Sequence, residues 1–359
     1  MPFGYFFSVG LVALATAVAL INPRPPHTTP SYWGHWLSFM VNEQPFIAFY
    51  LLAASTLLAY GQGDLDSPAA LVAVAVAVVT VGGLAVLVVR ASGTDRAVGV
   101  PPGGRPWARI LLAPWVVRRR DVKRVANLAY GDAGKRNRLD VYHRRDRPAG
   151  APVLVFFHGG GFRMGSKNRE ARAMLNELAG RGFVCVNANY RLAPAAAYPD
   201  YLIDAKRVIA WVRAHIADYG GDSRTVVSSG SSAGANLSAM LGLTPGDMEF
   251  QPGFEGADCS VSAVIGFGGY YGRSAGPGSS PVERVADAPP FLLLHGTNDG
   301  LTLIEDTRDF ADKLRAVSTN PVTLVELPGA QHSFDLLWSL RYSYVIDAVA
   351  EYLAGRREL

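Results

Sequence analysis

Uncharged hydrophobic runs fill the first quarter of the chain, and short apolar runs alternating with amphipathic ones fill the rest. Phe3–Ile21 is 19 residues without a charge and Ala69–Val89 is 21. An α-helix needs about 20 residues to cross a hydrocarbon core, so each run predicts a membrane span. Pro45–Tyr60, with 16 uncharged residues, is slightly short and predicts a third span or a re-entrant or interfacial helix. Buried helices of a soluble protein normally keep a polar face, which these runs lack. No basic segment precedes Phe3 and no small-residue cleavage site follows it, which speaks against a removable signal peptide.

From about Val122 the period shortens. Strands are predicted at Val125–Tyr130, Arg138–His143, Val153–Phe157, Val184–Asn189, Thr225–Ser229, Val261–Phe267, Phe291–His295 and Val322–Glu326. Helices are predicted at Arg169–Arg181, Tyr201–Tyr219, Ala233–Leu241, Ile304–Val317 and Ser339–Leu353. Val153–Phe157 and Phe291–Leu294 are almost purely apolar, as strands are when helices cover both sheet faces. A mostly parallel, doubly wound α/β sheet of about eight strands follows. Its first two strands, joined by Gly-Asp-Ala-Gly-Lys, read as an antiparallel hairpin at the edge. Three parts are expected: a membrane region (1–89), a basic juxtamembrane linker (90–121) and the α/β domain (122–359).

The charge distribution adds orientation. The net charge is +4, and all of the excess sits in one belt: residues 90–124 carry nine bases and two acids, whereas residues 1–89 carry one base, Arg24, and three acids. Basic residues favour the cytoplasmic side. The loop Gly61–Pro68 has two acids and no base, so three spans place it and the N-terminus outside and the α/β domain on the cytoplasmic face, with Arg24 inside. A nucleic-acid binder would spread its bases over a folded face; this belt suits membrane lipid instead. Within it, Trp107–Val117 is an apolar run flanked by arginines, expected either in the headgroup plane or as a solvated linker. Cys185 and Cys259 have neither metal-type spacing nor a disulfide framework, and Cys185, in an apolar strand, reads as a buried structural thiol.

Four motifs carry candidate chemistry. Gly230-Ser231-Ser232-Ala233-Gly234 follows a strand and opens a helix, a turn that pushes Ser232 out of the sheet as a nucleophile. His158-Gly159-Gly160-Gly161-Phe162 follows another strand; its glycines let main-chain amides face a cavity, so Gly160 and Gly161, with Ala233, are the expected oxyanion donors. A phosphate loop is excluded because no Gly-Lys-Ser/Thr follows. Asp299 and His332 each sit just after a strand, and serine, acid, histidine is the chain order of α/β-hydrolases. Asp306 and Asp335 are competing acids, but neither directly follows its strand. Phe162, Tyr190, Tyr270, Tyr271, Leu336 and Trp338 follow these motifs and are candidates to line a substrate pocket.

On these residues the chain resembles the hormone-sensitive-lipase family of carboxylesterases over roughly Val122–Leu359. Tyr190-Arg191-Leu192-Ala193-Pro194 matches a stretch of that family. Asp204-Ala205-Lys206-Arg207 and the run Gln251–Asp258 are similar to mycobacterial and other actinobacterial membrane-associated esterases. The family usually has an acid before its serine and a glycine after the elbow, where this chain has Ser231 and Ala235. The resemblance implies an α/β-hydrolase fold and ester hydrolysis without metal or organic cofactor, and an apolar site beside a membrane points to short- to medium-chain or lipid-derived acyl esters. An amidase or formamidase with the same three residues, or a catalytically idle binding module, are the other readings. Oligomeric partners are not specified by the sequence.

Overall fold

The structure, a computed structural model, describes residues 3–21, 29–101, 103–146, 149–272 and 275–355; Arg24 lies outside them. Eight strands form one sheet: β1 (Val122–Ala129), β2 (Arg138–Arg144), β3 (Ala151–Phe157), β4 (Val184–Ala188), β5 (Gly221–Ser231), β6 (Ala263–Phe267), β7 (Phe291–Gly296) and β8 (Val322–Leu327). Their order is β1-β2-β4-β3-β5-β6-β7-β8. β2 pairs antiparallel with both β1 and β4, and every other pair is parallel. The expected edge hairpin and the parallel, doubly wound remainder are both present.

Strand side chains alternate between faces, and β3, buried throughout, shows what each face holds. Val153, Val155 and Phe157 join one core cluster with residues such as Leu202, Val208, Leu237 and Phe310. Leu154 and Phe156 join the other, with Leu175, Leu178, Ile346 and Val349. Helices therefore cover both faces, which explains the absence of polar alternation in these strands. Cys185 is fully buried in the second cluster.

Among the described residues, six helices precede the sheet, the first four being α1 (Phe3–Ile21), α2 (Thr29–Glu43), α3 (Pro45–Gly61) and α4 (Pro68–Ser92). Two described helices, α1 and one running from Pro68 to Val98, are long and apolar enough to cross a membrane; a third crossing is counted only if α2 and α3, which meet at 86°, form one broken span. Ser67 caps α4, its side chain accepting from the Ala70 amide at 3.2 Å. The start of α1 lies beside the acidic loop, because Tyr5 and Ser8 share a cavity with Gln62 and Asp64. The ends of α1 and α4 both reach the α/β domain: Arg90 donates to the Leu20 carbonyl at 3.2 Å, and both residues border Thr297 and Gly329.

α2 is the element that hydropathy missed. It lies across the domain, holding it through polar side chains at helical spacing. Asn42 donates to the Gly329 carbonyl at 3.0 Å, Gln331 donates to Ser38 Oγ at 2.8 Å, and Glu43 pairs with Arg341. Both ends of that ion pair are buried. The two helices that follow, α5 (Thr94–Val98) and α6 (Trp107–Leu112), belong to the basic belt, which is not a free linker. Arg105 pairs with Asp347 at 2.8 Å, Arg119 with Glu177 at 2.8 Å, and Arg124 with Asp140. These bases neutralise acids of the domain, while Trp107, Leu112 and Trp115 remain exposed.

Candidate active site

The strand ends carry the site. Between β5 and the helix α9, Ala233–Leu243 (helices α7 and α8 being Arg172–Gly180 and Asp200–His215), Ser232 occupies φ +55°, ψ −116°. An L-residue is strained there by about 1–3 kcal/mol, and the surroundings hold it: the Ser232 amide donates to the Phe267 carbonyl at 2.9 Å. A Cβ on Gly234 would lie 2.0 Å from the Phe157 carbonyl oxygen, so only glycine lets the elbow approach β3 this closely. Ala233 opens α9, and the first amides of a helix have no intrahelical partner.

The glycine loop after β3 is held from behind. Tyr190 stacks on His158 at 4.4 Å and donates its hydroxyl to the His158 carbonyl at 2.7 Å. The Gly159 amide donates to the Glu170 carboxylate. Burial pushes the His158 imidazole down to about 4, so it stays neutral and donates Nδ1–H to the Gly159 carbonyl at 2.7 Å. Gly160, at φ +115°, has no room for a Cβ, which would meet the Met164 carbonyl oxygen at 2.1 Å. Among the described residues, the amides of Gly160, Gly161 and Ala233 make no backbone hydrogen bond. All three residues line one cleft of about 490 Å³ with Ser232 and His332.

Asp299 and His332 meet across the ends of β7 and β8, with 2.7 Å between Asp299 Oδ2 and His332 Nδ1. The other carboxylate oxygen, Oδ1, accepts from the amides of Leu301 and Thr302, both at 2.9 Å. Thr302 Oγ1 lies 2.9 Å from Oδ2. Burial alone would raise the Asp299 carboxyl, but the positive charge of His332 and hydrogen bonds from His295 and His332 hold it well below the usual carboxylate range. Burial likewise works against a charged His332, and the facing Asp299 carboxylate outweighs it, raising the imidazole above its ordinary value. Neither competing acid takes this place. Asp306 sits in the first turn of α10 (Ile304–Val317), and Asp335 lies against Ser231, whose hydroxyl donates to it at 3.4 Å.

The aromatic candidates divide. Phe162 and Tyr270 line the cleft. Tyr190 is behind the glycine loop; Tyr271 is fully buried and stacks on Phe310 at 4.4 Å; Trp338 is buried under the Arg109 guanidinium. Those three do not line the cleft, nor does Leu336. Adjacency to a motif does not set direction: Tyr270 faces the cleft, and its neighbour Tyr271 turns into the core. The residues that sequence reasoning passed over include Trp36 of α2, Met164, Glu170, Leu301 and Thr302. For α2 a signal existed, since His35, Ser38 and Asn42 form a polar stripe at helical spacing.

The BD-FAE family model matches residues 139–272. The chain is 41% identical over 266 residues to the probable carboxylic ester hydrolase LipM of Mycobacterium tuberculosis, 66% of this chain and 62% of that protein. It is 39% identical to esterase LipC of the same organism, over 60% of this chain and 61% of the relative. The α/β domain is thus similar to carboxylic ester hydrolases of the hormone-sensitive-lipase type. Among solved structures, the propionate-bound esterase Est2 of Thermogutta terrifontis is 27% identical with a TM-score of 0.58, covering 66% of this chain and 94% of that one. The same esterase has been solved phosphorylated by paraoxon, at 27% identity, TM-score 0.58 and the same coverage. The match spans less than two thirds of the LipM and LipC chains.

Proposed function

We propose that this chain is a membrane-anchored serine carboxylesterase that hydrolyses acyl esters through an acyl-enzyme. The observation that carries this is the 2.7 Å Asp299–His332 contact opening onto the cleft that holds strained Ser232 and three amides that make no backbone hydrogen bond. His332 takes the Ser232 proton as the hydroxyl attacks the ester carbonyl, and Asp299 fixes the imidazole tautomer and offsets its charge. The oxyanion is received by the amides of Gly160, Gly161 and Ala233; one such donor is worth about 3 kcal/mol. His332 then returns the proton to the leaving alcohol, and later activates the water that releases the acid.

Two relatives support the reading by their names, being ester hydrolases. The paraoxon-modified structure supports a serine nucleophile, because organophosphates trap activated hydroxyls. A cleft of about 490 Å³ is of the size that binds small ligands and suits short- to medium-chain acyl esters. The apolar helices support anchoring by several spans, and the Lys/Arg belt after Val89 supports placing the domain on the cytoplasmic face. Ser232→Ala is expected to abolish turnover of p-nitrophenyl esters and labelling by a fluorophosphonate, with the protein still folded. Full turnover in the variant refutes the assignment, and faster cleavage of matched amides than of esters redirects it to an amidase.

A further inference from the structure

The cleft is not closed by the α/β domain alone. α2 supplies part of its wall: Trp36 lines it, and the ring of His35 lies 6.3 Å from that of His332. This wall is fixed in place by the Ser38–Gln331 and Asn42–Gly329 hydrogen bonds and the Glu43–Arg341 pair. On its other side α2 borders a second hollow of about 290 Å³, a groove between α1, α2 and α3. Leu11, Ala15, Met40, Ile47 and Leu51 line that groove, and so does Trp36, the one described residue common to both cavities.

The groove's rim selects its occupant. Leu11, Met40 and Leu51 are each more than 40% exposed, and Leu11 and Ala15 belong to α1, one of the two helices long and apolar enough to cross a membrane. With α1 spanning the bilayer, as proposed above, such a mouth opens into hydrocarbon. A water-soluble ester has no reason to enter it, whereas an acyl chain already dissolved in the bilayer crosses from one apolar medium to another.

We propose that the acyl chain of a membrane-dissolved lipid ester lies in the groove between α1, α2 and α3 and passes Trp36, so that its carbonyl reaches Ser232 laterally from the bilayer. This rests on Ser232 being the nucleophile of an esterase. The cleft alone accommodates the shorter chains, and the groove extends the substrate range to long-chain lipid esters.

The test uses the full-length protein in phospholipid vesicles and two fluorophosphonates, one ethyl and one hexadecyl, the latter with a diazirine near the end of its chain. In each, Ser232 Oγ attacks phosphorus, the P–F bond breaks, fluoride leaves and the serine proton passes to His332. After irradiation, the hexadecyl probe is expected to be cross-linked to peptides of α1, α2 and α3. Cross-links confined to the Met164 or Tyr270 side of the cleft overturn the groove, as does labelling by the ethyl probe alone. Failure of both probes overturns the esterase reading and the groove with it. As an independent measurement, Leu11→Trp, at an exposed position of α1, is expected to lower the ratio of palmitate- to butanoate-ester kcat/KM about tenfold. A ratio that stays at the wild-type value overturns the proposal.

Discussion

Replacing Asp299 with asparagine probes the arrangement of the site without altering its shape. The two carboxylate oxygens have unlike surroundings. Oδ1 accepts two main-chain amides, from Leu301 and Thr302, and Oδ2 faces His332 Nδ1 at 2.7 Å. The new amide group must present its NH₂ to one of them. Turned toward the two amides, it leaves donors facing donors, at about 1–3 kcal/mol for each buried group left unsatisfied. Turned toward His332, it donates to Nδ1 and drives the imidazole proton onto Nε2, so the ring no longer accepts from Ser232. The second is the cheaper arrangement and the inactive one. Recovering the active tautomer thus costs about 2–6 kcal/mol, and the carboxylate that stabilises the imidazolium is lost as well. A fall in kcat of about 10⁴-fold, some 5 kcal/mol, is expected, with KM and thermal stability little changed. Spectrophotometric hydrolysis of p-nitrophenyl butanoate by the purified full-length variant measures it. An Asp299→Asn enzyme within about tenfold of the parent, particularly beside a crippled Asp335→Asn or Asp306→Asn, refutes this account of the acid.

Further outcomes follow from the same groups. His332 is held above its ordinary value of 6.5 by Asp299 against the effect of burial. Because only the neutral ring accepts the serine proton, kcat/KM should rise with pH through a value above 6.5; a limb at or below 6.5 counts against the pairing. Asp335, pushed up to about 7 by burial and by nearby Glu170, also raises His332 once ionised, so Asp335→Asn should move the limb to lower pH. Glu43→Leu leaves the buried Arg341 guanidinium without its partner, which should destabilise the protein by about 3–5 kcal/mol, read as a lowered unfolding midpoint in detergent; an unchanged midpoint shows that the pair is not needed to join α2 to the domain.

The strands and helices of the domain were legible because each obeys one period. β3 is apolar throughout since both faces are covered, and the helix Ile304–Val317 alternates at helical spacing between Phe310 or Leu314 inside and charged residues outside. The sharp turns were legible for a different reason: the approach of Gly234 to β3 admits no side chain, so the constraint is written in the residue itself. α2 was illegible to a search for uncharged length. Its two faces meet different surroundings, polar groups of the domain on one side and apolar helices on the other, and their average hides both. Direction was illegible too. Trp338 and Tyr271 follow site motifs in sequence but turn into the core, where Arg109 and Phe310 receive them. Asp335 shows a subtler case. The family's acid before the serine is here Ser231, yet a carboxylate reaches that position from a loop more than a hundred residues later, which no local pattern announces.

Because α2 provides both a side of the cleft and the counter-charge of Arg341, the α/β domain expressed by itself would be a different object. It would have an open flank where Trp36 stands and a guanidinium with no carboxylate to meet it. Inhibitors selected against such a fragment would be fitted to a cavity that the intact protein does not possess, and those that relied on the missing side would lose their hold when offered the whole chain.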